Sequence, residues 1–288
     1  MTTGPMTHAE PTPLAAGGRD PRLMPTILTV FGLYARSEDN WMSVASLVRL
    51  MADLGLDEPA VRSSISRLKR RGVLCPERHG KAAGYSLESS ALAVLAEGDT
   101  RIFERVRAST VDGWLLVVFS VPESERDKRH ELRTSLTRLG FGTAAPGVWI
   151  APGHLAAETR RTLERRGLTG YVDMFNAEHT GFGDPSSKVS AWWDLDELSG
   201  LYADFLDRYQ PVLARVDTDG TTPIEAFATY IPMLTQWRRL PYRDPGLPLQ
   251  LLPPDWSGER AGLLFDDLNR ALRTSAHDHA MTVIHGDS

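Results

Sequence analysis

DEPAVRSSISRLKRR, residues 57–71, is the stretch on which the reading of this chain turns. Asp57 is a residue type that caps helix N-termini, and Pro59 falls in the first turn, where its missing N–H costs no hydrogen bond. Val61, Ile65 and Leu68 recur at helical spacing and make one apolar stripe. Arg62, Ser63, Ser66, Arg67 and Arg70 fill much of the opposite face, and Gly72 stands where a helix C-cap would stop it. A helix held by one side, with short hydroxyls and guanidiniums on the other, suits a DNA groove, because the arginine fork grips guanine or phosphate with two bonds. A merely solvated cationic face gives the same pattern, so the flanking sequence has to decide.

Outward from that helix, VASLVRLMADL (residues 44–54) repeats apolar residues at helical spacing behind the candidate cap Ser43, and Gly55 breaks it shortly before Asp57. Residues 21–36, PRLMPTILTVFGLYAR, read as a first helix despite Pro25 and Gly32. The order is helix, helix, tight turn, helix, that of a helix-turn-helix module. Residues 73–78 and 83–87 suit two short strands around His79-Gly80-Lys81, a hairpin with a basic tip like the wing of a winged helix. Residues 57–81 hold seven Arg/Lys against three Asp/Glu, whereas the whole chain has a net charge of −5. Basic charge concentrated in one segment of an acidic chain points to a surface that meets a polyanion.

At 288 residues the chain has room for two or three modest cores. Its 42% apolar and 24% charged content is that of an ordinary globular protein, and no apolar run is long enough to span a bilayer, so no membrane partner is expected. Residues 1–20 lack the basic start and apolar core of a signal peptide and read as a disordered lead-in. Cys75 is the single cysteine, which excludes an intrachain disulfide and fits a cytoplasmic protein; it reads as a small, half-buried residue of the wing.

Residues 89–110 read as a linker helix, with an interruption at Gly98 and Asp99. At Trp114 the pattern changes, since WLLVVFSV (residues 114–121) is a continuous run of β-favouring residues, expected of a buried strand. A charged helix over residues 125–139 then carries Leu132, Leu136 and Leu139 on one face. Two short strands turn at Pro146-Gly147, and a helix over 155–166 leads to a strand over 171–177. That is β-α-β-β-α-β, the ferredoxin-like order. The remainder is helical and acidic, with eight Arg against fifteen Asp/Glu from residue 192 onward. Leu195, Leu198, Tyr202, Phe205 and Tyr209 form a stripe too short for a coiled-coil seam, which reads as core. Helices over 223–239 and 259–273 flank a proline-rich but ordered loop over 240–256, and His277-Asp278-His279 reads as a frayed polar end. The fold class is therefore α+β and multidomain. It comprises the lead-in, a winged helix-turn-helix domain over 21–88, a linker helix over 89–110, a ferredoxin-like domain over 111–184 and a helical C-terminal domain over 185–288.

The residues also carry a family resemblance. WMSVASLVRLMADLGLDEPAVRSSISRLKRRGVL followed by AGYSL resembles the N-terminal domain of PaaX-type transcriptional regulators, repressors associated with phenylacetate degradation. The likeness continues through WLLVVFSVPESERDKRHELRTSLTRLGFGTAAPGVWIAP and WRRLPYRDPGLPLQLLPPDW, covering residues 21 to about 272. The resemblance implies a winged helix, a central domain like a small CRISPR-associated nuclease, and a helical C-terminal domain. It also implies a homodimer on double-stranded operator DNA, released by an aryl-acyl-CoA such as phenylacetyl-CoA. On that basis Arg62, Ser63, Ser66, Arg67, Lys69 and Arg70 fall on the recognition helix, with Arg78, His79 and Lys81 at the wing tip. Arg62 and Arg67 are expected at base edges or adjacent phosphates, and Lys69, Arg70 and Lys81 nearer the backbone. An acyl-CoA needs cations for its phosphates and an apolar slot, and Trp192, Trp193, Trp237, Arg238, Arg239, Tyr242 and Arg243 offer both.

Two rival readings remain. One is a metal-dependent nuclease acting through the central domain, and the other a regulator that works by protein contacts without DNA. The first strand ends Phe119-Ser120-Val121-Pro122, and the nearest carboxylates, Glu123 and Glu125, lie beyond the proline, where no set of converging oxygens is evident. There is no Walker loop, HExxH or GxSxG, and His130, His154 and His179 are scattered and read as structural. No catalytic residue, metal or cofactor is expected.

Overall fold

The computed structural model describes residues 21–286, so the lead-in expected over residues 1–20 lies outside the described residues. It has an α+β architecture with two antiparallel sheets and many helices. The first unit comprises α1 (Leu23–Tyr34), β1 (Trp41–Ser43), α2 (Val44–Asp53), α3 (Glu58–Arg70), β2 (Leu74–His79) and β3 (Ala82–Leu87). Both short connections are built by the capping chemistry of their ends. Ser43 Oγ accepts the Ser46 N–H at 2.9 Å to start α2. After α2, Gly55 (φ 73) lets the Leu56 N–H return to the Met51 carbonyl at 3.0 Å. Asp57 accepts the Ala60 N–H at 3.0 Å to start α3, and Gly72 (φ 64) lets the Val73 N–H return to the Leu68 carbonyl at 3.0 Å. The strands form a sheet of order β1-β3-β2. Sequence reading misses β1, because three residues cannot display alternation and their strand character comes only from pairing with β3. Gly84 permits that pairing, since a side chain there would run into the Trp41 ring and the Met42 carbonyl.

α4 (Ser89–Asp99) does not break at Gly98. That glycine serves a close approach, as a Cβ there would sit 2.7 Å from the Tyr242 hydroxyl. The helix instead widens into a single π turn at Thr100–Glu104 and stops at Arg105, a non-glycine residue at φ 46.

The central unit runs β4 (Trp114–Phe119), α5 (Arg126–Arg138), β5 (Gly142–Ala145), β6 (Val148–Pro152), α6 (Ala156–Arg165) and β7 (Val172–Ala177). Its sheet has the order β5-β6-β4-β7, with every neighbouring pair antiparallel. The apolar run in β4 is buried on one face only. Leu115 and Val117 join Leu132 and Leu136 of α5 and Leu163 of α6 in a core of their own. On the reverse face Trp114 and Leu116 pack against the larger core, while Val118 is exposed.

α7 (Pro185–Trp192), α8 (Leu195–Asp219), α9 (Pro223–Trp237) and α10 (Ser257–His285) complete the chain. Leu195, Leu198, Tyr202, Phe205 and Tyr209 are all buried, as their spacing predicts. α10 continues well past residue 273, because Leu272, Ala276, Ala280 and Ile284 keep a four-residue spacing and all pack inside. The polar triplet His277-Asp278-His279 is thus a helical turn and not a frayed end. The first unit and the C-terminal helices share one apolar core, running from Leu23, Phe31 and Leu47 to Phe227, Trp237 and Phe265. Polar contacts reinforce this closure. Thr235 and Thr29 hydroxyls lie 2.9 Å apart, His279 Nε2 is 2.8 Å from Asp53, and His285 Nε2 is 2.9 Å from Glu38.

Trp237 and Phe265 stack at the heart of that core, with ring centroids 4.5 Å apart and planes within 9°. Phe265→Ala leaves a cavity against Trp237 and is expected to cost about 3–5 kcal/mol. The urea midpoint at unchanged slope measures this, and a loss below about 1 kcal/mol would contradict the packing.

Candidate nucleic-acid interface and ligand cavities

α3 turns Val61, Ser64, Ile65 and Leu68 into the protein. Arg62, Ser63, Ser66, Lys69 and Arg70 are left exposed on its outer side, as the spacing implies. Their conformations differ, however. Arg62 Nε donates to Glu58 Oε1 at 2.6 Å one turn back, an exposed pair that lays the guanidinium along the helix. Arg67 is only half-exposed, since its Nη2 donates to the buried Ser64 hydroxyl at 2.8 Å and its Nε is buried without a partner. The Arg67 guanidinium is therefore held back against the helix by Ser64, a residue that sequence reading does not single out.

β2 packs on α3 and leads into the hairpin tip, where Gly80 takes φ 58 as a two-residue turn requires. Arg78, His79 and Lys81 are exposed there. Arg78 Nη2 donates to the Lys81 carbonyl at 3.0 Å. His79 stacks on Trp41 with centroids 4.3 Å apart and lies 3.1 Å from Glu77 Oε1. Glu77 also accepts the Ser86 hydroxyl at 2.6 Å, and that hydrogen bond, followed by the one from His79, holds its carboxyl below the ordinary range. Trp41 is a functional candidate that sequence reading misses, because only the pairing of β1 with β3 brings it beside the hairpin tip. Cys75 is exposed on β2 and not half-buried, because Leu74 takes the inward position of that pleat. Desolvation and then Glu88 raise its thiol pKa.

The fold does not bring the seven expected effector residues to one cavity. Trp192 lines a cavity of about 420 Å³ with Trp114, His179 and Pro248. Trp193 is core, donating its indole N–H to the Gly140 carbonyl at 2.8 Å. Trp237 and Arg238 diverge at the end of α9. Trp237 enters the wall of a larger cavity of about 690 Å³, while Arg238 donates to Thr29 Oγ1 at 3.2 Å. Tyr242 lies under the Arg101 guanidinium at 5.1 Å. Arg239 is exposed, Arg243 pairs with Glu197 at 2.5 Å, and neither lines either cavity. The larger cavity takes its cations from Arg101, Arg105 and Arg107 of the segment RIFERVR, a clustering visible in the sequence though not singled out there. His154 lines the same cavity, and burial followed by the nearby Arg101 charge depresses its pKa.

The carboxylates beyond β4 are engaged by the protein itself. Glu123 pairs with Arg126 at 2.5 Å and Arg129 at 3.1 Å, and Glu125 accepts the Tyr171 hydroxyl. Among the described residues no group of three or more His, Cys, Asp or Glu is arranged to hold a metal, and no helix is long and apolar enough to cross a membrane.

Three family profiles match successive stretches of the chain. These are PaaX-like protein over residues 22–91, PaaX protein central Cas2-like domain over 107–189, and PaaX-like protein C-terminal domain over 193–282. The transcriptional repressor PaaX of Escherichia coli (strain K12) is 27% identical over 231 residues, 78% of this chain and 72% of that protein. An uncharacterized protein of Mycobacterium tuberculosis has a related fold, with a TM-score of 0.54 and 23% identity over 90% of this chain and 98% of that one.

The cap that starts α3 gives a direct check on this local architecture. Asp57→Ala removes the acceptor for the Ala60 N–H and is expected to cost about 0.5–2 kcal/mol, read as a fall in thermal midpoint. Asp57→Ser, which can still cap, is expected to restore most of the loss.

Proposed function

Since the chain belongs to the PaaX family, we propose that it is a transcriptional regulator that binds double-stranded operator DNA in a sequence-specific way. In this reading α2, the turn at Gly55 and α3 are a helix-turn-helix, the β2–β3 hairpin is its wing, and the central unit is ferredoxin-like. The protein acts in the cytoplasm as a homodimeric repressor whose two α3 helices enter successive major grooves. An aryl-acyl-CoA such as phenylacetyl-CoA releases it by binding better to an arrangement whose helices no longer match the half-sites.

The observation that carries the reading is the outer face of α3. Its inner residues are buried, its hydroxyls and cations are exposed, and a hairpin with three basic side chains packs beside it. A repressor among the relatives supports the same direction. The engaged state of Glu123 and Glu125 gives the nuclease alternative no support, and the exposed cations of α3 argue against a role confined to protein contacts.

Fluorescence anisotropy on the DNA upstream of the protein's own gene, against scrambled DNA and across salt, tests the reading. Selective binding is expected on the upstream DNA, with release by phenylacetyl-CoA. Equal and weak binding to both DNAs would overturn it. Arg62→Ala is expected to cost about 1–3 kcal/mol on the operator and to relax specificity at one position. Lys81→Ala is expected to weaken all sequences alike and to reduce the salt slope by about one unit.

A further inference from the structure

The cavity of about 690 Å³ lies where three parts of the chain meet. Its walls come from the end of α4 and the π turn, from the start of α6 with His154, and from the C-terminal helices with the proline-rich loop. Several unusual features converge here. The π turn at Thr100–Glu104 is the only one among the described residues, and it is followed at once by Arg105 in the left-handed region at φ 46. A non-glycine residue is held there only when its surroundings fix it, and both π turns and such residues concentrate at ligand sites.

The surroundings of Arg105 do fix it. Its guanidinium lies over the Trp237 ring at 5.5 Å, an Nη atom donates to Asp266, and Gly262 supplies the space it occupies, since a Cβ at that position would collide with Nη1. Even so, Arg105 Nε is buried without a partner. The same holds for Arg101 Nη1, on a side chain only 10% exposed, and for His154 Nδ1. Three side chains of one cavity wall thus each hold a buried nitrogen without a partner, against the strong tendency of buried polar groups to be paired.

The acidic residues of the walls are in the opposite condition. Asp244 accepts from the Tyr202 hydroxyl at 2.9 Å, the Gly246 N–H at 2.8 Å and Arg107 at 3.3 Å. Glu97 is bound by Arg165 at 2.9 Å, and Glu158 lies 3.4 Å from Arg101 Nε, with its pKa raised by burial. Glu104 and Glu259, which have no such partner, are exposed at the rim. Beside them stand two large apolar side chains left in solvent, Val106 at 57% and Leu263 at 66% exposure.

We propose that this cavity binds an organic anion, with its carboxylate or phosphate oxygens on Arg101 and Arg105 and its apolar part against Val106, Leu249 and Leu263. The proposal rests on the regulator reading only for what the ligand does, and not for whether it binds. It also moves the ligand site away from Arg239 and Arg243 and onto the linker.

Titration calorimetry of the full chain with phenylacetyl-CoA, coenzyme A and phenylacetate tests it. Binding of the two CoA compounds without phenylacetate assigns the anion to phosphate, and binding of phenylacetate alone assigns it to carboxylate. For whichever probe binds, Arg105→Gln and Gly262→Ala are each expected to weaken affinity at least tenfold, the second without removing a charge. Arg270→Ala, on the exposed side of α10, is expected to bind as the wild type does. Circular dichroism of each variant guards against simple misfolding, and Arg105→Lys, which keeps charge but loses the fork, is expected to fall between. Wild-type affinity in both Arg105→Gln and Gly262→Ala would overturn the site, as would the absence of heat with all three probes. Binding that is lost in the variants, yet leaves operator DNA bound in the wild type, would uphold the site and refute the effector reading alone.

Discussion

The packing of α10 across both ends of the chain is the constraint from which the rest of the architecture follows. Over its 29 residues, roughly 43 Å of helix, it presents Phe265 to Trp237 near one end and Ala276, Ala280 and Ile284 to the shared core near the other. His279 and His285 then reach Asp53 and Glu38 of the first unit. Small residues at 276 and 280 let neighbouring helices approach closely, and the four-residue spacing keeps the apolar edge on one side of the rod. The first unit is therefore not a head on a tether, because its own core is continuous with that of the C-terminal helices.

Under the proposed function, this arrangement bears on how a ligand in the larger cavity would reach α3. The residues that place Arg105, namely Gly262 and Asp266, belong to the same helix whose far end meets α2. α9 carries Trp237 at the cavity and also touches α1 through Thr235 and Arg238. A ligand that prefers one setting of these helices has a rigid route to the orientation of α3, provided its affinities for the two settings differ. A ligand bound equally well in both would leave α3 where it is.

Much of this was legible in the sequence, and the limits have physical causes. Over residues 57–71 the cap and the stop were legible because they depend on local backbone chemistry, and the buried stripe because Val61, Ile65 and Leu68 keep helical spacing. The β-α-β-β-α-β order was readable from apolar runs, helical spacing and the Pro146-Gly147 turn, whereas the half-open face of β4 was not, since Val118 is as apolar as the buried Val117. β1 was invisible because three residues acquire strand character only from a partner distant in sequence, as Trp41 pairs with Ser86 through Ser43 with Gly84. The ligand residues failed for a related reason. Trp237, Arg238 and Arg239 are adjacent in sequence, but consecutive positions on a helix end point in different directions, so one meets a cavity, one meets α1 and one meets solvent.

The central claim is that the first unit and the C-terminal helices form one cooperative body. Native-state hydrogen exchange of the full chain, followed by mass spectrometry, measures it most directly. The amides of α1 and α3 are expected to open with the same free energy as those of α9 and α10, and Phe265→Ala to lower all four together. Exchange of α1 and α3 at markedly lower free energy, unaffected by Phe265→Ala, would contradict it and return the first unit to the status of an independent domain.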